Sequence, residues 1–285
     1  MLRRTVLFSN IHYIVLRVLR RFVFRGRLLS VFERNLPYYR TNFNEISPST
    51  VAEKYSKYCS VVDMSPRGKN VLEIGIGVTN SCGYEIVAQG ARRCWGYEPF
   101  EKFNAERDRA RLDDAVQRHV RDYDFFRHRF TRIDTLADLE EGSIELVLSH
   151  NVLEHVTALS ELVDELERLL TRDGCMIHIV DYRDHFFEYP YHFLQFSDKT
   201  WNRFLNPGHL PRYRLDDHVE AFRSKGFTVE ILETSTDNGE FAKVRERISQ
   251  KFKEYSERSL AVTTAVLAVS RSKNRRIPEY PGCDF

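Results

Sequence analysis

The sequence predicts an α/β fold in which helices flank a mostly parallel sheet. From residue 70 onwards, short apolar runs alternate with helical stretches. Strands spaced by helices in this way form right-handed βαβ units, which place the strands parallel to one another. The composition supports a substantial core, since 42% of the 285 residues are hydrophobic and 13% are aromatic. A wholly disordered chain is therefore excluded.

The first 34 residues predict a basic amphipathic helical arm. They hold eight arginines and one acid, a net charge of +7, so the remainder of this +2 chain carries −5. A helical wheel over residues 5–32 places apolar and basic residues on opposite sides. The apolar side holds Phe8, Ile11, Ile14, Val15, Val18, Leu19 and Phe22, and the basic side holds Arg17, Arg20, Arg21 and Arg25. Three interpretations stay open: a helix on an anionic membrane surface with its arginines towards the headgroups, a cap helix with its apolar side on the domain, or an organelle-targeting peptide.

The elements that follow the arm can be assigned in order. Residues 35–69 predict a connector with one helix, which starts after Ser47-Pro48 and runs from Val51 to Val62. Strands are predicted at 71–74, 93–97, 144–149, 175–180, 227–232 and about 261–269. Helices are predicted at 81–89, 101–120, 158–170, 216–225 and about 239–256. The principal domain is assigned to 70–272, with a loop-rich insert at 182–213 and a C-terminal tail at 273–285.

Cysteine usage indicates a protein of a reducing compartment, and hydropathy predicts no membrane-spanning segment. None of the five cysteines stands in a CxxC pair, and their spacing matches no zinc or disulfide framework. No apolar run approaches the roughly 20 residues that span a bilayer. No small-residue cleavage site follows a short apolar core, so we expect no secretory signal.

A glycine turn follows the first predicted strand in "VLEIGIGVTNSCG". Gly75 and Gly77 let the backbone approach a ligand, and the helix that follows favours polar groups at its N-terminus. Glu98 ends the second strand 21 residues after Gly77, where an acid can accept hydrogen bonds from a ribose. Two ligands fit, a nicotinamide dinucleotide or S-adenosylmethionine. The dinucleotide fingerprint G-x-G-x-x-G requires glycine at position 80, which is Asn80.

Three segments together resemble class I S-adenosylmethionine-dependent methyltransferases of the methyltransferase type 11/12 kind. "VLEIGxG" resembles their motif I, "SIELVLSHNVLEHV" (residues 143–156) their fourth strand and turn, and "LERLLTRDGCMIHIVD" (residues 166–181) their next helix and fifth strand. The resemblance implies a Rossmann-like sheet of seven strands, S-adenosyl-L-methionine as cofactor and a methyltransferase activity of class EC 2.1.1.

The downstream region resembles a subgroup of bacterial methyltransferases associated with surface-glycan biosynthesis. The segments that carry this resemblance are "DYRDHF", "FLQFSDKTW", "RYRLDDHVEAFRSKGF" and "YSERSLAVTTAVLAVSR". It implies O-methylation of a hydroxyl on a saccharide or lipid-linked saccharide, with residues 182–213 as an acceptor-side lid. It also implies a cytoplasmic protein, at the inner face of the membrane if the arm binds lipid.

The resemblance also implies roles for the residues of the cofactor site. The backbone of Gly75 and Gly77 would face the methionine part of the cofactor, with Glu73 near its amino group. Glu98 would hold the ribose.

The remaining cofactor contacts lie further along the chain. Asp134 stands where the family places an adenine contact, although Asp122 and Asp124 compete for that role. His150 and Asn151 stand where the fourth strand ends and would face the sulfonium, since ligands bind at the carboxyl ends of parallel strands.

A hydroxyl acceptor needs a base, and three residues are candidates. His185, just after the fifth strand, is preferred over Asp181 and His155. Related ubiquinone-pathway and small-RNA methyltransferases carry Glu-x-x-Glu-His at the turn and bind a divalent cation. Here the first glutamate is replaced by Asn151, so no metal is assigned, although Glu154 and His155 remain with His185.

Four other functions compete with O-methylation of a saccharide hydroxyl. An RNA methyltransferase would use the basic arm, but the acidic body counts against a phosphate-tracking groove, so a nucleic-acid partner is not expected. A small-molecule methyltransferase of the quinone type is a second alternative. A non-catalytic protein that binds S-adenosylmethionine or a membrane is a third, and a nicotinamide-dependent oxidoreductase is disfavoured by Asn80. No sequence feature fixes the oligomeric state.

Overall fold

The computed structural model describes residues 10–19, 47–184, 189–206 and 210–271. The predicted tail at 273–285, the preferred base His185 and most of the arm lie outside the described residues.

The described strands form one sheet of seven. Its strands are β1 (Asn70–Ile74), β2 (Arg93–Tyr97), β3 (Phe130–Ile133), β4 (Ile144–His150), β5 (Leu170–Asp181), β6 (Thr228–Thr236) and β7 (Val262–Ser270). They lie in the order β3-β2-β1-β4-β5-β7-β6, with the first five parallel and β7 antiparallel to both of its neighbours. The chain winds outwards from β1 to β3 and then returns to β4 on the other side of β1. The carboxyl ends of β1 and β4 therefore frame the switch point at which such sheets bind ligands.

Helices and short turns complete the described chain. The helices are α1 (10–19), α2 (Pro48–Val61), α3 (Ser81–Ala88), α4 (Ala105–His119), α5 (Tyr123–Arg127), α6 (Leu159–Leu169), α7 (Asp198–Thr200), α8 (Leu215–Arg223), α9 (Asn238–Ala242) and α10 (Glu257–Ala261). Helix α7 continues into a π turn over Trp201–Leu205, and 3-10 turns occupy Leu153–His155, His192–Gln195, Arg245–Arg247 and Gln250–Phe252.

The sheet is buried on both faces, which explains why its strands are continuous apolar runs. Successive residues of β1 belong to different clusters: Leu72 packs with α6 and α8 residues such as Val163 and Phe222, whereas Val71 packs with Ile86 of α3. Burial of alternating side chains on both faces fixes β1 at the centre of the sheet and holds the turn that follows it.

Most predicted elements are confirmed within four residues at their ends, and β5 begins five residues earlier than predicted. Two features differ more. Sequence reasoning missed α5 and the four-residue strand β3. The single helix predicted at 239–256 is wrong, because it divides into α9, two 3-10 turns and the residues between them. Helix α9 ends at Ala242, after which the N–H groups of Lys243 and Val244 donate to carbonyl oxygens only three residues back. Further on, the Ser249 N–H donates to the Leu194 carbonyl oxygen of the insert at 2.9 Å.

Helix α1 packs on the domain mainly through Tyr13 and Arg17, and of the predicted apolar side Val18 packs against the cluster that includes Trp201. Tyr13 and Arg17 are buried against the insert, although the wheel placed Arg17 on the outward, basic side. The reason is a carboxylate distant in sequence: Arg17 pairs with Asp184, which also accepts a hydrogen bond from the Tyr13 hydroxyl.

Candidate active site

The glycine turn leaves β1 at the centre of the sheet. The Gly75 N–H donates to the Tyr97 carbonyl oxygen at 2.8 Å, which ties the turn to β2. Both glycines adopt positive φ, +76° at Gly75 and +67° at Gly77, where an L side chain is strained. A Cβ on Gly75 would lie 2.3 Å from Val152 Cγ2, whereas a Cβ on Gly77 would meet no heavy atom within 4 Å. Gly75 is therefore required by packing, and Gly77 borders open space.

Glu73 brings a carboxyl group into the interior beneath this turn. The residue is 3% exposed, and its Oε2 has no hydrogen-bond partner. Burial raises the pKa of Glu73 to about 7, and a hydrogen bond with the Cys82 thiol partly opposes that rise. A buried oxygen without a partner costs free energy, so this position is suited to a ligand that donates a hydrogen bond or carries a positive charge.

Glu98 is held at the carboxyl end of β2 by backbone donors. Its Oε2 accepts from the Gly77 N–H at 2.9 Å, and its Oε1 accepts from the N–H groups of Phe100 and Glu101, both at 3.1 Å. A carboxylate offers about four acceptor sites, so about one remains for a ligand hydroxyl. The Phe100 side chain beside it is 88% exposed, a large apolar surface that sequence reasoning did not single out.

A polar network replaces the third glycine of a dinucleotide loop. The Asn80 N–H donates to Asp108 Oδ1 at 2.7 Å, and its side-chain amide donates to Asp108 Oδ2 at 3.3 Å. Arg132 binds the Asn80 amide oxygen at 3.3 Å and the Gly77 carbonyl oxygen at 2.7 Å. The loop is thus fixed to α4 and to β3 by side chains, and Arg132 is a supporting residue that sequence reasoning missed.

The structure separates the three aspartates considered for the adenine contact. Asp134 follows β3 directly and is exposed at its carboxyl end. Asp122 caps α5 by accepting from the Phe125 N–H at 2.7 Å, and Asp124 lies in the first turn of that helix. Since α5 precedes β3, Asp122 and Asp124 stand at its amino end, away from the glycine turn.

The end of β4 supplies His150 and Asn151. Burial lowers the pKa of His150 to about 4, helped by nearby Lys54. Asn151 adopts φ +56°, and its N–H donates to the Ile179 carbonyl oxygen at 2.8 Å. Asparagine tolerates this left-handed conformation better than most residues, which turns the chain sharply out of the sheet.

A pocket of about 410 Å³ opens beside the ends of β4 and β5. Its wall combines charged side chains with an aromatic surface. The lining residues are Arg17, Glu154, His155, Asp181, Tyr182, Arg183, Asp184, Phe193, Trp201, Leu210, Pro211, Arg212 and Tyr213. Helix α1, the turn after β4, the end of β5 and the insert therefore meet at one cavity.

Two of the three predicted bases, Asp181 and His155, line this pocket. Asp181 is held by Arg183, whose Nη2 lies 2.6 Å from Oδ2 and whose Nε lies 3.0 Å from Oδ1. Burial lowers the pKa of His155, so its ring is neutral at pH 7 and able to accept a proton. The third base, His185, lies outside the described residues.

Glu154 is a pocket residue that sequence reasoning considered only for a metal. It is 9% exposed, and neither side-chain oxygen has a hydrogen-bond partner. Burial raises the pKa of Glu154 well above its ordinary value, and the neighbouring Asp181 adds to that rise. The carboxyl group is therefore protonated more readily than an ordinary glutamate, and its protonated form can donate a hydrogen bond to an acceptor.

A buried histidine on α8 fixes the turn that carries Glu154 and His155. His218 Nε2 lies 3.2 Å from the Leu153 carbonyl oxygen, which can only accept, so Nδ1 accepts from the Tyr182 hydroxyl at 2.8 Å. Burial lowers the pKa of His218 to about 4 and keeps this neutral tautomer. The two hydrogen bonds that join Leu153, His218 and Tyr182 connect the two sides of the pocket.

No metal centre is found in the described part of the chain, where no three His, Cys, Asp or Glu side chains come together to hold an ion. The four cysteines within these ranges are free thiols. None of the described helices has the length and apolar character needed to cross a bilayer.

The sheet order and the turn at its switch point define a Rossmann-like methyltransferase fold. The chain belongs to the family described as "Methyltransferase domain", whose model matches residues 51–232. It is an S-adenosylmethionine-dependent methyltransferase, with S-adenosyl-L-methionine as its cofactor.

Known proteins resemble the chain at low identity. The ubiquinone biosynthesis O-methyltransferase of Neisseria meningitidis serogroup C (strain 053442) is 26% identical over 180 residues, 58% of this chain and 70% of that protein. Among solved structures, the YcgJ protein of Bacillus subtilis has a TM-score of 0.48 at 12% identity and covers 77% of this chain and 99% of its own. The Haemonchus contortus phosphoethanolamine N-methyltransferase 2 in complex with S-adenosyl-L-methionine has a TM-score of 0.49 at 15% identity, covering 90% of this chain and 59% of its own.

Proposed function

We propose that the enzyme methylates a hydroxyl oxygen of a saccharide or lipid-linked saccharide. The observation that carries this proposal is the pocket at the ends of β4 and β5, which joins proton-transfer groups to an aromatic wall. Tyr213, which is half-buried, offers a flat apolar surface of the kind that stacks on sugar faces, whereas the buried Trp201 supports the pocket wall beneath Arg17 and Arg212. His155 with Glu154 offers the acid–base groups that a hydroxyl needs.

The cofactor site extends from the glycine turn to the end of β3. S-adenosylmethionine supplies an activated methyl group on a sulfonium. The partnerless Oε2 of Glu73 accepts from the ammonium of its methionine part, and Glu98 offers one further acceptor site to the ribose. The open space beside Gly77 admits the methionine part of the cofactor close to the backbone. Asp134 takes the adenine amino group.

Three further residues complete the cofactor site in this proposal. The exposed ring of Phe100 covers the adenine face. His150 and Asn151 border the sulfonium where β4 ends.

Three groups divide the acceptor chemistry. His155 is the described base that takes the hydroxyl proton, because its ring is neutral at pH 7. Glu154 in its protonated form donates a hydrogen bond that orients the acceptor. Asp181 acts less as a base than as a fixed acceptor, since Arg183 occupies both of its oxygens. His185 remains a candidate base from the sequence.

A quinone-type acceptor is the second candidate function. The relative that acts in ubiquinone biosynthesis favours it, and an aromatic pocket also suits a phenolic ring. Both acceptor classes can be lipid-linked. This agrees with a protein that works at the inner face of a membrane and contacts it through the arm at residues 1–34.

A label-transfer assay tests the proposal. Purified full-length protein is incubated with methyl-labelled S-adenosylmethionine and with lipid, saccharide, RNA and protein pools from cell extract. Label in the saccharide pool, or label released from lipid as saccharide by mild acid, is the expected result. Label that stays in a phenolic lipid supports the second candidate, and label in RNA alone or in no pool overturns both.

A variant pair tests the role of His155. We expect His155→Gln to slow transfer by about 10²- to 10⁴-fold while calorimetric binding of S-adenosylmethionine is unchanged. The matched control is His128→Gln, which changes an exposed histidine just before the amino end of β3. This variant should transfer at the wild-type rate. Equal rates for both variants would remove His155 from the mechanism.

A further inference from the structure

Helix α1 is fastened to the domain by its polar and aromatic side. Tyr13 is 0% and Arg17 1% exposed, and both bind Asp184 of the insert. The Arg17 guanidinium also lies 5.0 Å from the centre of the Trp201 ring, and Tyr13 stacks on Phe196 at 5.8 Å with an interplanar angle of 10°. Breaking a buried ion pair leaves an uncompensated charge, so this contact fixes the rotation of the helix about its axis.

The fixed rotation turns aliphatic side chains away from the domain. Ile11 is 54%, Ile14 36% and Val15 49% exposed. Their spacing of i, i+3 and i+4 places them on one side of the helix as a contiguous apolar strip. A helix that only caps its own domain buries such a strip and exposes its arginine. The reversed arrangement indicates that the strip serves an outside partner.

The charge of the surrounding sequence identifies that partner. Apart from Arg17, which is paired with Asp184, the first 34 residues hold seven arginines and one acid, a net charge of +6, in a chain whose total charge is only +2. A helix with exposed apolar side chains in a strongly basic segment is suited to an anionic lipid surface. The apolar side chains enter the acyl boundary while the arginines bind the headgroups. Each arginine near such a surface adds about 1 kcal/mol of attraction.

We propose that helix α1 docks the protein on an anionic lipid surface through Ile11, Ile14 and Val15. The same helix forms part of the acceptor pocket, because Arg17 and Asp184 line it together with His155. Docking therefore presents the pocket to a lipid-linked acceptor at the membrane surface. The acceptor part rests on the proposed function, whereas the docking itself does not.

Vesicle flotation of the full-length protein tests the docking. Vesicles of phosphatidylcholine alone are compared with vesicles that also contain phosphatidylglycerol. We expect the wild type to float with the anionic vesicles. The Ile11→Gln/Ile14→Gln/Val15→Gln variant should bind them at least about tenfold more weakly. Glutamine keeps helix propensity, so the melting temperature should stay at the wild-type value.

The control variant is Val120→Asn/Phe204→Gln, which removes exposed apolar side chains elsewhere and should float like the wild type. Equal flotation of the triple variant and the wild type overturns the proposal. So does concentration-dependent dimerisation in sedimentation that the triple variant abolishes without any vesicle binding, because the partner is then a second copy. Binding of S-adenosylmethionine is measured in parallel, so a failure of the proposed function is seen separately from a failure of docking.

Discussion

At the scale of single residues, Glu73 shows how a carboxyl group proposed to bind the cofactor can oppose stability. Its carboxyl is buried beneath the glycine turn with one oxygen unpartnered, and burial raises its pKa from 4.5 to about 7. Unfolded protein releases this proton near its ordinary pKa, whereas folded protein keeps it up to about pH 7. The folded state therefore binds more protons between these values, and stability falls as pH rises through that window. The full effect is about 3 kcal/mol.

Glu73→Gln should separate the two roles of the side chain. The amide removes the proton linkage, so the difference in unfolding free energy between variant and wild type should move in favour of the variant by about 3 kcal/mol from pH 4.5 to pH 8. The affinity for S-adenosylmethionine should fall, because the charged acceptor for the ammonium is lost. Urea denaturation across pH and calorimetry measure the two effects. Glu141→Gln, at an exposed site, is the control, and a pH dependence of Glu73→Gln equal to that of the wild type would contradict the assignment.

At the scale of elements, helix α4 ends on a strained residue. Its C-cap Val120 has φ 53° and ψ 51°, the left-handed conformation that favours glycine and that a β-branched residue rarely adopts. The side chain is 86% exposed, so little packing offsets this strain. The turn is held by hydrogen bonds to Val116, whose carbonyl oxygen accepts from the N–H groups of Val120 and Arg121.

Val120→Gly should therefore stabilise the protein by about 1 kcal/mol. Glycine adopts the left-handed conformation without a Cβ penalty, although it adds some entropy to the unfolded chain. Chemical denaturation of the wild type, Val120→Gly and Val120→Ala measures the change. Alanine keeps the Cβ and should give a smaller gain than glycine. A glycine variant that is less stable than the alanine variant would show that Val120 is not strained.

The elements also show what sequence could predict. Strand β2 matches its predicted bounds, and β1, β4 and α6 match within one or two residues. A short continuous apolar run marks a strand buried on both faces, and a helical period marks a helix with one buried face. The single helix predicted at 239–256 is wrong, because α9 ends at Ala242 and the chain further on bonds to the insert, where the Leu194 carbonyl oxygen accepts from the Ser249 N–H. Arg17 was likewise misplaced, because its partner Asp184 lies 167 residues away. A local sequence pattern carries no information about residues that come into contact only in the folded chain.

For the candidate site, the sequence spacing indicated that Glu98 lies beside the turn at Gly75 and Gly77, and the hydrogen bond from the Gly77 N–H to Glu98 joins them. The role of these residues in binding a cofactor stays a prediction. Glu154, Arg132 and His218 were not singled out as supporting groups, since their roles depend on burial and on contacts between distant elements.

At the scale of the whole molecule, the turn after β1 joins the proposed cofactor site to the turn that carries Glu154 and His155, the proposed acid–base groups. Gly75 packs against Val152, which immediately precedes the 3-10 turn Leu153–His155. Gly77 lies on the other side, beside open space, with its N–H on Glu98. Substitutions at the two glycines should therefore have different effects, although both residues have positive φ.

Gly75→Ala should destabilise the fold by about 2–5 kcal/mol, since the strained φ adds to a clash with the buried end of Val152. Gly77→Ala should lose only the backbone cost of about 1–2 kcal/mol, but its Cβ fills the open space and should abolish stabilisation by S-adenosylmethionine. At a ligand concentration of about 100 times Kd, the wild type should gain about 2.7 kcal/mol. Gly142→Ala, at φ +61° with no atom within 4 Å of its Cβ, has the same backbone cost far from the site and should keep that gain. Denaturation with and without the cofactor measures each variant, and a Gly77→Ala protein that retains the full gain would place the cofactor away from this turn.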